Sequence, residues 1–335
     1  MNLFLKNHEK YCQEKYCQIK ILFLFCNKII IFLNYFNNLL SNNRKKRMEI
    51  LIIGCNGQLG SEMVSQCEKE NHSVKGIDFP EIDISNYSKT EKKIIRLKPE
   101  IIINCAAYTS VDLCETNQKE AFSVNSKGIE NIASSAKTID AKVIHISTDY
   151  VFDGLKKSPY VESDIANPQT IYGKSKLEGE GRLSDTMEKY FIFRIAWLYG
   201  IKGSNFVKTI YKSALVNSKK NLPLKVVDDQ FGSPTYTQDV CKQIISVIKT
   251  DNYGLFHCTN EGRCSWFEFA NHIVKLFKIP IEVIPCSTEE FPRLAKRPHN
   301  SVLENQRLKS LNLNIMRFWK TAFNHFFEIS NEHLI

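Results

Sequence analysis

The chain has 335 residues, 43% hydrophobic and 24% charged, an ordinary globular composition that allows one large or two modest domains. Its formal net charge of +9 suggests a nucleic-acid partner, but nine of the 45 basic residues and only two of the 36 acids lie in residues 1–47. The other 36 basic and 34 acidic residues leave residues 48–335 almost neutral. We therefore expect no basic face for phosphates and no nucleic-acid partner.

The 11 cysteines are scattered along the chain and form no Cys-x-x-Cys pair. This spacing argues against a zinc site, a thioredoxin-like centre and a disulfide framework. Several cysteines stand within apolar runs, as Cys105 does. Free thiols in a reducing cytoplasm are the simplest interpretation, so the sequence predicts a cytoplasmic protein without a metal site.

Residues 1–47 differ from the rest of the chain. The segment 19–40 is rich in Ile, Leu and Phe, but Lys20, Lys28 and several asparagines interrupt it. It therefore lacks the unbroken apolar run of about 18 residues that a membrane span needs, and no small-residue cleavage site follows it. We expect a disordered extension or a misassigned start site before Met48, with a membrane-associating anchor as the alternative. No membrane contact is expected for the core.

From Met48 onward, short apolar runs alternate with amphipathic stretches. Buried strands separated by helices predict an α/β fold in which a doubly wound parallel sheet is covered on both faces. We expect residues 48–198 to form mainly this Rossmann-type sheet, and residues 199–330 mainly a smaller C-terminal lobe interleaved with the last sheet strands. The predicted strands of the first part are 50–53, 73–77, 101–103, 142–146 and 191–195, and its predicted helices are 61–70, 88–97 and 120–138. The second part is predicted to contain strands 224–227, 254–258 and 281–284 and the helix 265–277.

A glycine-rich turn joins the first predicted strand to the first helix. Glycines in such a turn let the backbone approach a pyrophosphate, which the amino terminus of the helix then binds through its N–H groups. Asp78 ends the second strand, where an acid receives the adenosine ribose hydroxyls of a dinucleotide and mildly favours NADH over NADPH; an ordinary turn residue is the alternative. The residues of the turn are Gly54, Gly57, Gln58, Leu59 and Gly60.

Two later turns are also candidates for a cofactor site. Asp83 and Ile84 follow the second strand, in a turn that can pass an adenine ring. Ala107 ends the third strand, where a small residue admits the cofactor, and Tyr108 and Thr109 continue that loop.

A reactive group is predicted where Thr148 ends the fourth strand and Tyr172 and Lys176 share one face of a helix at i and i+4. A tyrosine hydroxyl, with a usual pKa of about 10, needs help to move a proton at neutral pH. A lysine one turn away stabilises the phenolate, and a threonine hydroxyl can orient a substrate carbonyl. The pair alone occurs in many helices, but its order after the glycine turn and Thr148 makes it specific.

The segments GCNGQLG, STDYVFDG and YGKSKLEGE together resemble the extended short-chain dehydrogenase/reductases. More narrowly, GQLG, AAYTSVD, STDYVFDG, FRIAWLYG, DDQFGSPTYTQD and RPHNSVL resemble the dTDP-4-dehydrorhamnose reductase family, from Met48 to about Phe327. Cys114 stands where that family has alanine, and the leader has no counterpart there.

The resemblance implies roles for individual residues. Tyr172 would protonate the C4 oxygen of a keto sugar as hydride arrives from NADPH or NADH, and Lys176 would hold the ribose. Thr148 and Asp149 would contact the dTDP-sugar, and Trp197 would pack on it, unless Trp197 is simply a core residue. The cofactor would be lined by Gly57, Gln58, Leu59, Asp78, Asp83, Ile84, Ala107, Tyr108, Thr109 and Ile146. The product would be dTDP-L-rhamnose, a precursor of cell-envelope polysaccharide.

Several alternatives remain open at this stage. An epimerase or another reductase of nucleotide sugars would keep the same fold. A dehydratase is disfavoured, because Thr148-Asp149 is followed by Tyr150 and not by a second acid. A silent regulatory subunit, like the beta subunit of methionine adenosyltransferase, has no need of Thr148, Tyr172 and Lys176 together. A membrane-anchored scaffold rests only on the leader.

Two surface features also have two interpretations each. Arg293, Lys296 and Arg297 form a loop that would meet the nucleotide diphosphate or simply face water. Glu62 would contribute to a metal-stabilised homodimer of the kind the resemblance implies, or be an ordinary solvated helix residue.

Overall fold

A computed structural model describes residues 47–330, and its centre is a six-stranded sheet. All its strand pairs are parallel, in the order β10–β5–β4–β3–β1–β2. The predicted α/β class and parallel sheet are therefore confirmed. The six strands are β1 (Glu49–Ile53), β2 (Ser73–Ile77), β3 (Ile101–Asn104), β4 (Lys142–Thr148), β5 (Tyr190–Ile195) and β10 (Gly254–His257).

The alternation of side chains along β1 explains why helices cover both faces of the sheet. Ile50 and Ile52 join an apolar cluster on one face, and Leu51 and Ile53 join another on the opposite face. The first face packs against α1 (Gln58–Lys69) and α8 (Thr237–Val247). The helices of the opposite face are α2 (Tyr87–Leu97), α5 (Gly128–Thr138) and α6 (Ile171–Thr186).

Some predicted boundaries differ from those observed. The predicted helix 120–138 is continuous with α4 (Gln118–Phe122) but contains a wider π-helical turn at Ser123–Lys127 before α5. The fourth strand extends two residues beyond its predicted end, to Thr148, because its pairing with β5 continues to the Thr148–Ile195 pair. The predicted strand 281–284 is instead Val283–Cys286, since pairing with Leu224 begins at Val283.

The carboxyl-terminal part of the chain builds a second apolar core, in which aromatic side chains such as Tyr199, Phe269 and Phe323 are packed. The helices of this part of the chain, besides α8, are α7 (Phe206–Lys219), α9 (Trp266–Leu276), α10 (Gln306–Ser310) and α11 (Trp319–Ser330). Earlier in the chain, a short helix α3 (Val111–Thr116) precedes α4. Its short strands are β6 (Leu198–Tyr199), β7 (Leu224–Val227), β8 (Phe231–Gly232), β9 (Thr235–Tyr236), β11 (Cys264–Ser265) and β12 (Val283–Cys286).

Within the described residues, 48–330 belong to one compact unit, in which β10 returns from the C-terminal part to pair with β5. The division of this unit into a mainly NAD(P)-binding part, residues 48–198, and a mainly substrate-binding lobe, residues 199–330, stays a prediction from the sequence. The leader predicted for residues 1–47 lies outside the described residues, apart from Arg47. Within residues 47–330 no helix is long and apolar enough to cross a membrane, and the eight cysteines of this range are free.

Candidate active site

A cavity of about 870 Å³ lies at the carboxyl-terminal edge of the sheet. Parallel strands end at this edge together, which is why residues distant in sequence meet here. All the site residues predicted from the sequence except Gly60 line the cavity: Gly54, Gly57, Gln58, Leu59, Asp78, Asp83, Ile84, Ala107, Tyr108, Thr109, Ile146, Thr148, Asp149, Tyr172, Lys176 and Trp197.

The turn between β1 and α1 requires a glycine at one position, and the first turn of α1 requires one at another. Gly54 has a φ of +81°, and a Cβ there would lie 2.6 Å from the backbone nitrogen of Ala106. A Cβ on Gly60 would lie 2.0 Å from the carbonyl oxygen of Gly54. Gly60 therefore packs the helix against the turn and does not face the cavity.

The amino terminus of α1 is suited to an anion. Its first residue is Gln58, its N-cap is Gly57, no side chain caps it, and its first turn contains no acid. Its N–H groups and the positive end of the helix dipole thus face the cavity without a competing carboxylate. This is an arrangement in which a dinucleotide pyrophosphate fits.

Asp78 holds the loop that follows β2. Its Oδ2 accepts a hydrogen bond from the Asn56 N–H at 2.9 Å, and its Oδ1 accepts one from the Phe79 N–H at 2.8 Å. Each carboxylate oxygen keeps a lone pair for a further donor. Asp78 is thus fixed in place while still able to accept a ribose hydroxyl.

The loop after β3 is held by a residue that sequence reasoning missed. Asn125, in the π-helical turn, accepts from the Tyr108 N–H at 2.8 Å and donates to the Tyr108 carbonyl at 3.1 Å. Its Nδ2 also donates to Ser175 Oγ on α6 at 3.0 Å. Asn125 therefore links the small-residue loop to the helix that carries Tyr172 and Lys176. No local pattern marks Asn125, because the predicted helix 120–138 is mixed in polarity and also contains Asn131.

The start of α6 places Tyr172 at the cavity. Thr170 caps the helix by accepting from the Gly173 N–H at 3.1 Å. A Cβ on Gly173 would lie 2.1 Å from the Tyr150 carbonyl, so the glycine lets this helix approach the end of β4. The rings of Tyr150 and Tyr172 meet edge to face, with centroids 5.5 Å apart.

Burial changes the acidity of both predicted catalytic groups. It raises the pKa of Tyr172 well above its usual range, an effect that the Thr148 hydroxyl opposes. It lowers the pKa of Lys176 to about 8, against the raising influence of Glu180 and Cys105. Tyr172 is therefore protonated at neutral pH, and Lys176 changes charge close to neutrality.

Thr148 and Asp149 are hydrogen-bonded to each other. Thr148 Oγ1 donates to Asp149 Oδ1 at 2.9 Å and accepts from the Tyr150 N–H at 3.2 Å. Burial raises the pKa of Asp149 to about 6, and hydrogen bonds from Ser301 and Thr148 oppose the rise. A substrate carbonyl that accepts a hydrogen bond from the Thr148 hydroxyl would compete with Asp149 for this donor.

Trp197 is half-buried and held by packing while it lines the cavity. Its ring is stacked on Trp266, with centroids 3.3 Å apart, and covers Gly232, where a Cβ would lie 2.2 Å from the indole. Trp197 thus faces the cavity and is also packed against other side chains. Its position is compatible with both interpretations, ligand contact and core residue.

A recess of about 200 Å³ adjoins the cavity beside Trp197. Its lining includes residues that were not singled out as site residues from the sequence: Gln230, Trp266, Pro298 and Ser301. Gln230 lies in the segment DDQFGSPTYTQD, and Pro298 and Ser301 lie in RPHNSVL, so the resemblance of these segments was the available signal, whereas no quoted segment contains Trp266. Arg297 also lines it and forms an ion pair with Asp112, Nη2 to Oδ2, at 2.7 Å. Arg293 and Lys296 of the same loop are exposed. Only Arg297 of the three basic residues is therefore placed at the recess.

Among the described residues no group of three or more His, Cys, Asp or Glu side chains could hold a metal. Glu62 accepts a hydrogen bond from Gln66 Nε2 at 2.7 Å on its own helix.

A parallel Rossmann-type sheet, a glycine turn at a helix amino terminus and a Thr/Tyr/Lys group at one cavity define an extended short-chain dehydrogenase/reductase. Comparisons with known proteins narrow this class. The family described as RmlD substrate binding domain matches residues 48–331. A dTDP-4-dehydrorhamnose reductase from Aggregatibacter actinomycetemcomitans is 39% identical over 274 residues, 78% of this chain and 92% of the relative.

Two solved structures agree. A dTDP-4-dehydrorhamnose reductase from Clostridium acetobutylicum is 45% identical with a TM-score of 0.82, and covers 84% of this chain and 99% of its own. One from Bacillus anthracis, solved in complex with NADP, is 38% identical with a TM-score of 0.81 and the same coverage. The chain belongs to the RmlD family of dTDP-4-dehydrorhamnose reductases.

Proposed function

We propose that this chain reduces the C4 keto group of dTDP-4-dehydro-6-deoxy-L-mannose to give dTDP-L-rhamnose, with NADPH or NADH as reductant. The observation that carries the proposal is the meeting of Thr148, Tyr172 and Lys176 in the cavity that the glycine turn also lines. Family membership supplies the substrate class, a dTDP-sugar, and the cofactor class, NAD(P)H.

The residues of the cavity divide into those that hold the cofactor and those that hold the sugar. The pyrophosphate would lie at Gly57, Gln58 and Leu59, where the end of α1 offers N–H donors. Asp78 would accept the adenosine ribose hydroxyls. The remaining cofactor contacts would come from Asp83, Ile84, Ala107, Tyr108, Thr109 and Ile146.

The chemistry of this chain's own residues is a proton transfer. When bound, the nicotinamide supplies the hydride that reduces the C4 carbon. Tyr172, protonated at neutral pH, gives its hydroxyl proton to the C4 oxygen. Thr148 donates a hydrogen bond to the same oxygen and so orients the carbonyl. The positive charge of Lys176 stabilises the tyrosinate that Tyr172 becomes.

The sugar would be held at the boundary between the cavity and its recess. Asp149 would accept hydrogen bonds from hydroxyl groups of the sugar, and the stacked Trp197 would present its ring to the sugar face. The product is a glycosyl donor for polysaccharide biosynthesis.

We infer a cytoplasmic location from the free cysteines of residues 47–330, since cysteines of proteins in oxidising compartments tend to form disulfides. A homodimer stays a prediction, and light scattering of the full-length protein during size-exclusion chromatography measures it.

The test is the loss of absorbance at 340 nm when the full-length protein is mixed with dTDP-4-dehydro-6-deoxy-L-mannose and either cofactor. We expect turnover that collapses in Tyr172→Phe. Tyr253→Phe is the matched control, because Tyr253 loses a hydroxyl that bonds Asp251 outside the cavity. A folded protein that binds nucleotide but shows no turnover would overturn the proposal in favour of another sugar or a regulatory role.

A further inference from the structure

Behind Lys176, away from the cavity, lies a chain of buried polar side chains that the reaction described above does not use. Lys176 Nζ is 3.2 Å from His145 Nε2, and His145 Nδ1 is 3.2 Å from Asn104 Nδ2. Asn104 Oδ1 accepts a hydrogen bond from the Ala106 N–H at 3.2 Å. Asn104, His145 and Lys176 are each 1% exposed. Lys176 Nζ also donates to the Ile146 carbonyl at 2.5 Å.

The Ala106 N–H, at one end of this row of hydrogen bonds, determines which atoms of Asn104 and His145 carry protons toward their neighbours. Because the Ala106 N–H can only donate, the Asn104 atom facing it must be the carbonyl oxygen. Asn104 then turns its NH₂ group toward His145 Nδ1, which has to be the acceptor. A neutral imidazole carries its proton on the other nitrogen, so His145 presents an N–H at Nε2 toward Lys176.

The consequence falls on Lys176. An uncharged lysine amine has one lone pair and can accept the hydrogen bond from His145 Nε2. An ammonium group has only N–H donors, which would oppose the His145 N–H. A buried polar contact that matches one protonation state and mismatches the other shifts the balance between the two.

We propose that Asn104 and His145 are positioning residues that hold Lys176 poised between its ammonium and amine forms, by presenting to its Nζ a proton donor fixed from the Ala106 backbone. This proposal rests on the proposed function, since it concerns the group that assists Tyr172. It explains why a histidine and an asparagine, which do not line the cavity, are buried behind the catalytic helix.

The proton balance of the reduction shows what this arrangement contributes. Tyr172 loses its O–H proton to the C4 oxygen as the new C–H bond forms, and becomes a tyrosinate. The proton that restores Tyr172 leaves Lys176, whose ammonium becomes an amine. Only then is the His145 N–H matched by a lone pair, so that the chain stabilises Lys176 after it has released its proton. Solvent entering the cavity that Lys176 lines returns a proton to the amine before the next turnover.

The charges around Lys176 agree with this account. Burial, and next the charge of Lys176, lower the pKa of His145 well below its usual range, so the ring stays neutral. Cys105 and Glu180 face Lys176 from the end of β3 and from its own helix, together with Tyr172. The Glu180 carboxylate is already paired with Arg194. His145 is thus the direct partner that offers Lys176 a donor.

The first experiment locates the His145 proton without any turnover. It records the two-bond ¹H–¹⁵N correlation spectrum of the full-length protein, labelled with ¹⁵N-histidine, at pH 9. We expect a neutral His145 with its proton on Nε2, and on Nδ1 in Asn104→Asp, where a carboxylate oxygen replaces the NH₂ group. The signal that disappears in His145→Phe is assigned to His145. If His145→Phe does not fold, the signal that changes in Asn104→Asp gives the assignment. A proton on Nδ1 in the unaltered protein would overturn the proposal.

The second experiment measures kcat/KM against pH. Since reduction needs the Lys176 proton, activity falls as pH rises through the Lys176 pKa, about 8 in the unaltered protein. In Asn104→Asp the hydrogen bonds reverse direction, and His145 Nε2 accepts a hydrogen bond from the Lys176 ammonium. The Lys176 pKa therefore rises, and the alkaline limb of the pH profile moves to higher pH by about one unit or more. In a His145→Phe background, the same substitution should move the limb much less. An equal displacement there would assign the effect to the added charge alone and contradict the proposed role of His145. If no variant turns over while the spectra agree, the proposed reaction fails and not the proton arrangement.

Discussion

Arg194 on β5 and Glu180 on α6 form a buried, two-point ion pair. Arg194 Nε donates to Glu180 Oε1 at 2.9 Å and Arg194 Nη2 to Oε2 at 2.6 Å, with side chains only 5% and 8% exposed. Ser147, just before Thr148, also donates to Glu180 Oε1. Because Glu180 is one turn beyond Lys176, this pair fixes the catalytic helix to the strands that end at the cavity.

Replacing Glu180 by Gln should destabilise the protein by about 3–5 kcal/mol, since the Arg194 charge is left buried without its partner. Urea unfolding of the full-length protein measures the loss. The double variant Glu180→Gln/Arg194→Met should recover most of that loss, because no uncompensated charge remains. A single variant within about 1 kcal/mol of the unaltered protein would show that the pair does not hold the helix.

Two glycine substitutions should have opposite effects. Gly60→Ala forces a methyl group against the Gly54 carbonyl. The substitution should lower the free energy of unfolding by about 1–3 kcal/mol or more and should also weaken cofactor binding. Gly181 lies on the exposed side of α6, where an added Cβ would meet no neighbour within 4 Å beyond its own helix backbone, so Gly181→Ala should stabilise by about 0.5–1 kcal/mol. Thermal unfolding and cofactor titration of both variants test this contrast, and equal effects would refute it.

Removing the Thr148 hydroxyl should slow the reaction. Thr148→Val deletes the donor to the substrate oxygen and should lower kcat about 100-fold. Thr148→Ser keeps the hydroxyl and should retain most of the activity. Steady-state kinetics with saturating cofactor distinguish the two, and a Val variant as active as the Ser variant would exclude the hydroxyl from the reaction.

Asp78 should set the preference between the two cofactors. A carboxylate at the adenosine ribose accepts its hydroxyls and repels a 2′-phosphate. Asp78→Asn should therefore raise the ratio of kcat/KM for NADPH over that for NADH by about tenfold, a change of about 1.4 kcal/mol. An unchanged ratio would place the ribose away from Asp78.

The sequence predicted those parts of the molecule that local patterns determine. Apolar runs such as β1 and β3 identified the parallel sheet, and the contiguous glycine turn marked the amino terminus of α1. The i, i+4 spacing of Tyr172 and Lys176 also survives in any helix. These features depend on neighbours in the chain, so a single sequence contains them.

The remaining features depend on contacts between distant segments. His145 lies within an apolar strand, and nothing near it in sequence indicates that it faces Lys176 of α6. The stack of Trp197 on Trp266 joins residues 69 positions apart. Gly60 belongs to the predicted motif, but its packing against Gly54 became visible only with the turn in three dimensions. Such relationships require the fold itself.

The most direct test of the account follows the hydride. The full-length protein is given dTDP-4-dehydro-6-deoxy-L-mannose and NADPH carrying deuterium in the transferred position, and the product is analysed by NMR. We predict dTDP-L-rhamnose with deuterium at C4 and one cofactor consumed for each product formed. Deuterium at another carbon, or an altered sugar formed without net consumption of the cofactor, would contradict a C4 reductase.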